Sequence, residues 1–183
     1  MPCTLDGTDL ALWRSAAGDV HVWGDRCPHR GMRLSQGFVR GEALSCIYHG
    51  WQYGRDGSCV SIPAHPDLVP PKTICATTFQ CAESDGLIWA TLKGITDAPP
   101  SVPHGSAVRS LHIEASLSAV AHHFGTSGNP VISLDDPSPA TLALHPVSRD
   151  STAVHAVAGQ DADRASVANW LEAQRAVIEL AVA

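Results

Sequence analysis

Two short segments, Cys27–Gly31 and Cys46–Gly50, each supply one cysteine and one histidine in close succession. The first reads Cys-Pro-His-Arg-Gly, a C-x-H spacing, and the second reads Cys-Ile-Tyr-His-Gly, a C-x-x-H spacing. Thiolate sulfur and imidazole nitrogen are common protein ligands of iron and zinc. The two segments therefore predict a metal centre with two sulfur and two nitrogen ligands, and the fold has to bring both segments together.

This ligand set is compatible with two kinds of centre. Zinc binds four such ligands around one ion, whereas a Rieske [2Fe–2S] cluster has two thiolates on one iron and two imidazoles on the other. Glycines follow both histidines (Gly31 and Gly50), and Trp51 comes after the second. Glycines let backbone amides approach the sulfides of a cluster, so the pattern favours a [2Fe–2S] cluster over zinc. The predicted ligands are Cys27, His29, Cys46 and His49.

Short apolar segments separated by glycine, proline and aspartate fill residues 1–95. Their recurrence about every ten residues is typical of an antiparallel β-sandwich or barrel. Both cysteine–histidine segments fall between predicted strands, so loops on a rigid sheet would present the metal centre. The predicted strands lie within residues 10–14, 21–23, 38–44, 53–60, 78–81 and 87–92. Hairpin turns are predicted at residues 17–19, which include Gly18, and at Gly41, residues 56–57 and residues 84–86.

A proline-rich stretch separates this β-rich part from the rest of the chain. Pro99, Pro100 and Pro103 exclude a helix or a central strand, because proline lacks a backbone N–H. Residues 96–106 are therefore predicted to be a linker between a domain at residues 1–95 and a second region at residues 107–183.

Residues 107–183 are predicted to form a small α+β region with a C-terminal helix. Alternating apolar and polar residues from Leu111 to Leu117 predict a half-buried strand, and residues 141–145 and 152–157 predict two more. From about Asp163 to Leu180, apolar residues recur at the spacings of a buried helix face. This stripe comprises Val167, Trp170, Leu171, Val177, Ile178 and Ala181.

Composition and charge narrow the class of function. The chain has a formal net charge of −6 and no cluster of lysine or arginine, so we expect no nucleic-acid partner. Neither an apolar run of about 18 residues nor an export signal is visible, so we expect no membrane span and a cytoplasmic location. In that compartment the cysteines outside the predicted site should be reduced thiols. They are Cys3, Cys59, Cys75 and Cys81.

Residues 8–95 resemble the Rieske domain of the Rieske non-haem iron oxygenases, most closely the group that includes vanillate demethylase and phthalate oxygenase. The paired cysteine–histidine motif is specific to such domains. One departure is Ile47, where the family usually has proline. The matching stretches are residues 11–14, 25–31, 34–37, 48–53 and 62–66.

The resemblance implies a [2Fe–2S] cluster, a reductase of the flavin or ferredoxin type as electron donor, and an oxygenase or another protein as acceptor. It also implies a low reduction potential, on the order of −150 mV. Met32 and Tyr48 stand where high-potential Rieske proteins carry additional cysteines. The oligomeric state is left open by the resemblance.

Full-length members of that family also hold a mononuclear Fe(II) on two histidines and a carboxylate in a following catalytic domain. Their histidines follow a D-x-x-H-x-x-x-x-H pattern, which this chain lacks. If His123 matches the second histidine, Ser118 and Ala115 stand at the other two positions. Residues 107–183 therefore resemble a shortened piece of that catalytic domain, and we expect no mononuclear iron.

Three functions are compatible with these observations. The first is a Rieske iron–sulfur protein that transfers one electron in an oxygenase system. The second is an oxygenase with a non-standard iron site built from His122, His123 and a carboxylate such as Asp135 or Glu114. The third is a non-catalytic remnant or a redox sensor. The sequence identifies neither a catalytic residue nor an organic substrate.

Overall fold

Two groups of residues pack separately in the computed structural model, which describes residues 1–94, 98–100, 102, 105–127, 129–159 and 161–182. The first unit comprises Met1–Thr4, Thr8–Ala82 and Ile88–Ala98, and the second comprises Leu5–Gly7, Glu83–Leu87 and Pro99–Ala183.

The strands, in chain order, are β1 (Pro2–Leu5), β2 (Thr8–Arg14), β3 (Val20–Gly24), β4 (Phe38–Arg40), β5 (Ala43–Ser45), β6 (Gln52–Tyr53), β7 (Cys59–Ser61), β8 (Thr78–Ser84), β9 (Leu87–Thr91), β10 (Ser106–Ile113), β11 (Val131–Leu134), β12 (Ala140–Ser148) and β13 (Ser151–Ala158). The helices are α1 (Leu117–His123) and α2 (Arg164–Val182).

Two sheets are formed by the N-terminal strands. One has the order β1-β2-β3-β8-β9, and the other is a simple meander of β4, β5, β6 and β7. The predicted hairpins are present: β2 and β3 pair in antiparallel fashion with Leu12 opposite Val22, and β4 pairs with β5 with Val39 opposite Leu44. The predicted mainly β fold class is therefore confirmed.

The hydrophobic core of the first unit includes two of the candidate metal ligands. Cys27 and Cys46 are buried among aromatic and aliphatic side chains, which means that the metal centre would lie at the edge of the core. The buried members of this cluster are Ala11, Trp13, Trp23, Cys27, Leu34, Leu44, Cys46, Tyr53, Cys59, Ile62 and Ala76.

The second unit is an antiparallel sheet with the order β10-β13-β12-β11 that packs against the two helices. One face of this sheet carries the core, because side chains on a strand alternate between faces. Leu111, Leu142 and Val154 lie on that face together with Leu171 of α2. Neither helix in the described part of the chain combines the length and apolar character that crossing a bilayer requires.

The predicted strand from Leu111 to Leu117 is wrong beyond Ile113. The chain turns there, and Ser116 begins helix α1 by accepting a hydrogen bond from the Ala119 backbone N–H at 3.3 Å. Serine is a favoured helix N-cap. Its hydrogen bond starts a helix here, although the alternation of apolar and polar residues continues by chance as far as Leu117. The strands β1 and β11 were not predicted from the sequence.

Helix α2 begins and ends within two residues of its predicted bounds. The Asp163 carboxylate accepts a hydrogen bond from the Ser166 backbone N–H at 3.0 Å and so caps the start of the helix. Val167, Leu171 and Ile178 are buried as expected. Val177 is 53% exposed, so the apolar stripe is narrower than the prediction.

The predicted linker and domain boundaries stay predictions. Of residues 96–106, positions 98–100, 102 and 105 are described and have no regular secondary structure. Ser106 already belongs to β10, and the remaining positions lie outside the described residues.

Candidate metal centre

The loop that carries Cys27 and His29 starts shortly after β3 and is closed by two backbone hydrogen bonds. The N–H of Gly31 donates to the Cys27 carbonyl at 2.8 Å, and the N–H of Cys27 donates to the Met32 carbonyl at 2.8 Å. Gly31 has φ of 71°, a left-handed conformation that favours glycine. The loop is thus a tight turn whose shape depends on Gly31.

The loop that carries Cys46 and His49 follows β5 and repeats the same backbone geometry. The N–H of Gly50 donates to the Cys46 carbonyl at 2.9 Å, and the N–H of Cys46 donates to the Trp51 carbonyl at 2.9 Å. Gly50 also has φ of 71°, and a Cβ there would lie 3.2 Å from the Pro63 side chain. In both loops the glycine is the fourth residue after the cysteine, whereas the histidine is the second residue after Cys27 and the third after Cys46. The cysteine-to-glycine spacing is therefore the more regular signal in the sequence.

The two thiols lie side by side in the core. Cys27 is 4% exposed and Cys46 is 2% exposed. Burial raises the pKa of the Cys46 thiol, and its hydrogen bond with the Cys27 thiol raises that pKa further. Two thiolates this close together would repel each other, and a metal ion bound to both would compensate their negative charge.

Tyr53 reaches the same pair of thiols from β6. Its hydroxyl oxygen lies 3.1 Å from the Cys27 Sγ. Burial, followed by the neighbouring Cys27, raises the pKa of Tyr53, so the hydroxyl keeps its proton and can donate it to a thiolate. Tyr53 is therefore both a buried core residue and a hydrogen-bond partner of a candidate ligand.

The two histidines lie together on the outer side of the thiols. The ring centroids of His29 and His49 are 4.8 Å apart, and His49 is exposed. The Trp51 ring stacks on His29 at 4.0 Å with an interplanar angle of 6°, which orients that imidazole. Desolvation, with smaller contributions from His49 and Arg30, lowers the pKa of His29 and favours its neutral form, which is the form that binds a metal.

The four candidate ligands form a thiol pair and an imidazole pair instead of meeting at one point. Among the described residues, no three or more His, Cys, Asp or Glu side chains converge closely enough to hold a single metal ion. Zinc would require all four around one ion, whereas a [2Fe–2S] cluster spans two irons, one for each pair. The donor set therefore fits a [2Fe–2S] cluster better than zinc.

A buried carboxylate, Asp25, braces the first ligand loop. It accepts hydrogen bonds from the backbone N–H and the hydroxyl of Ser35, both at 2.7 Å, and from Arg33 at 3.2 Å. Arg33 also pairs with Asp9 at 2.9 Å. Because the Asp25 side chain has no exposed surface, these bonds replace all of its hydration. Sequence reasoning assigned no role to Asp25, although an acidic residue two positions before the first candidate ligand was a usable signal.

The candidate residues for a second iron lie in the second unit. His122 and His123 are the last two residues of helix α1. The Nε2 of His123 lies 2.7 Å from the Gln174 side-chain oxygen, so this ring is engaged with α2. Asp135 follows β11 and Glu114 follows β10. Within the described ranges these histidines and carboxylates do not come together as one metal-binding group.

Residues 1–81 match the family model described as Rieske [2Fe-2S] domain. The oxidoreductase NdmD of Pseudomonas putida is 45% identical over 101 residues, which is 55% of this chain and 16% of NdmD. The 4beta-methylsterol monooxygenase of Methylococcus capsulatus is 46% identical over 87 residues, which is 45% of this chain and 23% of that protein. The matched region is thus less than a quarter of either relative.

Solved structures resemble a larger part of the chain at low identity. NdmB of Pseudomonas putida CBB5 has a TM-score of 0.72 at 20% identity and covers 98% of this chain and 75% of its own. Apo dicamba monooxygenase has a TM-score of 0.70 at 20% identity and covers 85% of this chain and 70% of its own. At these identities the likeness shows the fold alone. The family match and the sequence relatives show that residues 1–81 are a Rieske [2Fe–2S] domain whose homologues include Rieske non-haem iron oxygenases.

Proposed function

We propose that this protein transfers single electrons as part of an oxygenase-type system, with a cluster held by Cys27, His29, Cys46 and His49. The observation that carries the proposal is the division of these side chains into a buried thiol pair and an outward imidazole pair. A [2Fe–2S] cluster supplies a one-electron couple when bound. The chain's part is to hold the cluster, to keep water from the thiolates and to offer the imidazole edges to a partner.

The relatives support a redox partner for this chain. One is the oxygenase component of chloroacetanilide N-alkylformylase, and another is the oxygenase subunit of 3-chlorobenzoate-3,4-dioxygenase. A component or subunit works with other proteins, and an oxygenase consumes electrons that a reductase has to deliver. We therefore propose a reductase as the electron donor and an oxygenase or another protein as the acceptor.

A second candidate function is an oxygenase with its own mononuclear iron. It is favoured by the likeness to dicamba monooxygenase, which has been solved with a non-heme iron and whose match covers 85% of this chain and so extends into the second unit. The described positions of His123, Asp135 and Glu114 weigh against it, because they do not form one metal-binding group. A three-ligand iron site would need a different arrangement of these side chains.

The iron content separates the two candidates. After anaerobic reconstitution we expect two irons per chain. We also expect that adding caffeine or dicamba to the dithionite-reduced protein causes no additional oxygen uptake. The reason is that the first unit holds the thiol pair and the imidazole pair, whereas the described part of the second unit brings no three candidate iron ligands together. Iron would be measured by a colorimetric assay and oxygen by an electrode. A third iron together with uptake that depends on either compound would establish the oxygenase instead.

Replacing Tyr53 with phenylalanine should lower the reduction potential of the cluster. The Tyr53 hydroxyl can donate a hydrogen bond to the Cys27 sulfur, and such a bond stabilises the more negative, reduced state. A net bond of about 1 kcal/mol corresponds to a shift on the order of 40–60 mV. Redox titration followed by EPR would measure the shift.

Tyr48→Phe is the matched control for this substitution. Tyr48 also neighbours a candidate ligand, but its side chain is 55% exposed and makes ring contact with His49. Loss of the Tyr48 hydroxyl should leave the reduction potential within about 10 mV of that of the unmodified protein, because no cysteine sulfur loses a hydrogen-bond donor. Equal shifts in the two variants would contradict the assigned role of Tyr53.

A further inference from the structure

The sheet of the second unit carries histidines on the face opposite its hydrophobic core. Leu111 and Val154 point into the core, so their neighbours along each strand point the other way. We call this other side the histidine face and define it by Ser110, His112, His145 and His155. The proposed electron-transfer function uses none of these four residues.

Three adjacent strands bring the histidines of this face together. Ala153 of β13 lies opposite His112 of β10 on one side and opposite His145 of β12 on the other. Neighbouring strands are about 4.8 Å apart, so the Cα atoms of His112 and His145 are separated by about 10 Å across one small side chain. His155 follows two positions after Ala153 and therefore points to the same side of the sheet.

The imidazole of His155 is held from both sides. Its Nε2 lies 3.0 Å from the Nδ1 of His145, and its Nδ1 lies 2.7 Å from the Ser110 Oγ. The rings of His145 and His155 are nearly parallel, with an interplanar angle of 11° and centroids 5.1 Å apart. Because the two nitrogens are much closer than the two centroids, the rings meet edge to edge with one nitrogen of each directed at the other.

The separation of these two nitrogens suits one metal ion as well as a shared proton. Imidazole nitrogens bind first-row divalent metals at about 2.0–2.1 Å, so two ligands at a right angle lie about 2.9 Å apart and two ligands of a tetrahedron about 3.3–3.4 Å apart. The observed 3.0 Å is closer to the right-angle value. Nitrogen ligands at right angles are typical of Cu²⁺ and Ni²⁺, and Cu²⁺ binds most tightly of the series.

The surroundings of His155 keep its ring in the form that binds metals. Burial, followed by the charges of His145 and His112, lowers the pKa of His155 to about 4, so the imidazole is neutral at neutral pH. Ser110 engages the ring nitrogen that would face away from the ion, as hydrogen-bond partners of metal-bound histidines do. His145 and His155 both keep part of their surface exposed, and the formal net charge of −6 attracts cations.

We propose that His145 and His155 form a binding site for Cu²⁺ or Ni²⁺, with His145 Nδ1 and His155 Nε2 as the ligands. The ion takes the position of the shared proton, and each ring keeps one proton on its other nitrogen. Within the part of the sheet that the structure describes, His112 does not complete a three-ligand group, so water fills the remaining positions. The site belongs to the second unit and does not depend on the electron-transfer function.

Copper binding to the cluster-loaded protein tests the site. The cluster is kept oxidised, because its two ferric spins then cancel and leave no EPR signal that would hide Cu²⁺. Cys75→Ser serves as the background, since an exposed thiol would reduce Cu²⁺. We expect one Cu²⁺ per chain, an EPR hyperfine pattern of two nitrogens, and tighter binding of Ni²⁺ than of Zn²⁺.

His145→Asn and His155→Gln remove the ligands while preserving polar contacts. In each, an amide group stands near the place of the ligating nitrogen and can keep a hydrogen bond, but an amide is a poor ligand for Cu²⁺. Each substitution should weaken Cu²⁺ binding at least about 100-fold, and Ser110→Ala should weaken it about 10-fold. His65→Ala is the matched control, because His65 is an exposed histidine of the first unit. Its affinity should equal that of the background protein.

Three results would overturn the proposed site. A Cu²⁺ affinity that is the same in His145→Asn and in the background protein would mean an adventitious ion only, and the histidine pair would be no more than a hydrogen bond. An EPR pattern without nitrogen ligands would also exclude the pair. Tighter binding of Zn²⁺ than of Ni²⁺ would exclude the right-angled geometry.

Ser110→Ala keeps the test valid if a ligand substitution disturbs folding. This variant retains both ligands and removes one exposed hydroxyl, and circular dichroism would check that it is folded like the background protein. An unchanged Cu²⁺ affinity in folded Ser110→Ala would contradict the orienting role of this serine.

Discussion

Replacing Cys46 with serine is expected to abolish the visible absorption and the EPR signal of the cluster. Cys46 is one of two adjacent buried thiols, and a serine hydroxyl does not ionise near neutral pH to replace a thiolate. Only one sulfur ligand would remain for the iron that is predicted to hold both thiolates. We therefore expect an iron content near zero in the purified variant.

Loss of the cluster should also reduce the stability of the ligand loops. Metal binding contributes to folding when the site is absent from the unfolded chain. The cluster would join the Cys27 loop to the Cys46 loop, and its removal leaves two thiol-lined turns held by their own backbone bonds. Limited proteolysis should cut the variant within these loops faster than the unmodified protein.

Cys75→Ser is the control for Cys46→Ser. Cys75 is an exposed free thiol whose sulfur hydrogen-bonds to the backbone carbonyls of Asp56 and Ala76. It is a better control than Cys59, which is buried in the same hydrophobic cluster as the candidate ligands. The control should keep the full spectrum. A Cys46→Ser variant with an unchanged spectrum would show that the ligand assignment is wrong.

Replacing Asp25 with alanine is expected to destabilise the first unit by about 2–4 kcal/mol. The substitution removes the carboxylate that accepts hydrogen bonds from the Ser35 N–H, the Ser35 hydroxyl and Arg33. Arg33 keeps Asp9 as a partner, so the cost should stay below that of an isolated buried charge. Urea unfolding followed by circular dichroism would measure the change in free energy.

Asp56→Ala is the control that separates the effect of burying the carboxylate from the effect of losing its hydrogen bonds. Asp56 accepts the same two kinds of bond, from the N–H and the hydroxyl of Ser58 at 3.0 and 2.6 Å, but it is exposed. Water can replace the lost bonds there, so its loss should cost about 1 kcal/mol or less. Similar costs for the two variants would mean that Asp25 does not brace the ligand loop as inferred.

Local sequence signals were sufficient to predict the hairpins of the first unit. Tight turns depend on residues a few positions apart, and the turn between β2 and β3 lies where Gly18 predicted it. The C-terminal helix was predictable for the same reason, because a 3.6-residue period extends over its whole length. The short segment from Leu111 to Leu117 carried too few residues to distinguish a strand from a strand followed by a capped helix.

The candidate ligands show the same division between local and long-range information. The two cysteine–histidine motifs are local and were found from spacing alone. Which groups support them is a matter of contacts between residues distant in the sequence. Tyr53 meets Cys27 across 26 positions, and Trp51 stacks on His29 from the other loop.

The sequence by itself determined the class of this protein, because ligand type, ligand spacing and strand periodicity are all properties of short segments. Only the tertiary structure decided that the thiols are paired inside the core and the imidazoles outside it. It also decided that Asp25 is fully buried and that Ile47 and Tyr48 are exposed. Burial depends on what the rest of the chain packs against each residue, and no pattern along a short segment contains that information.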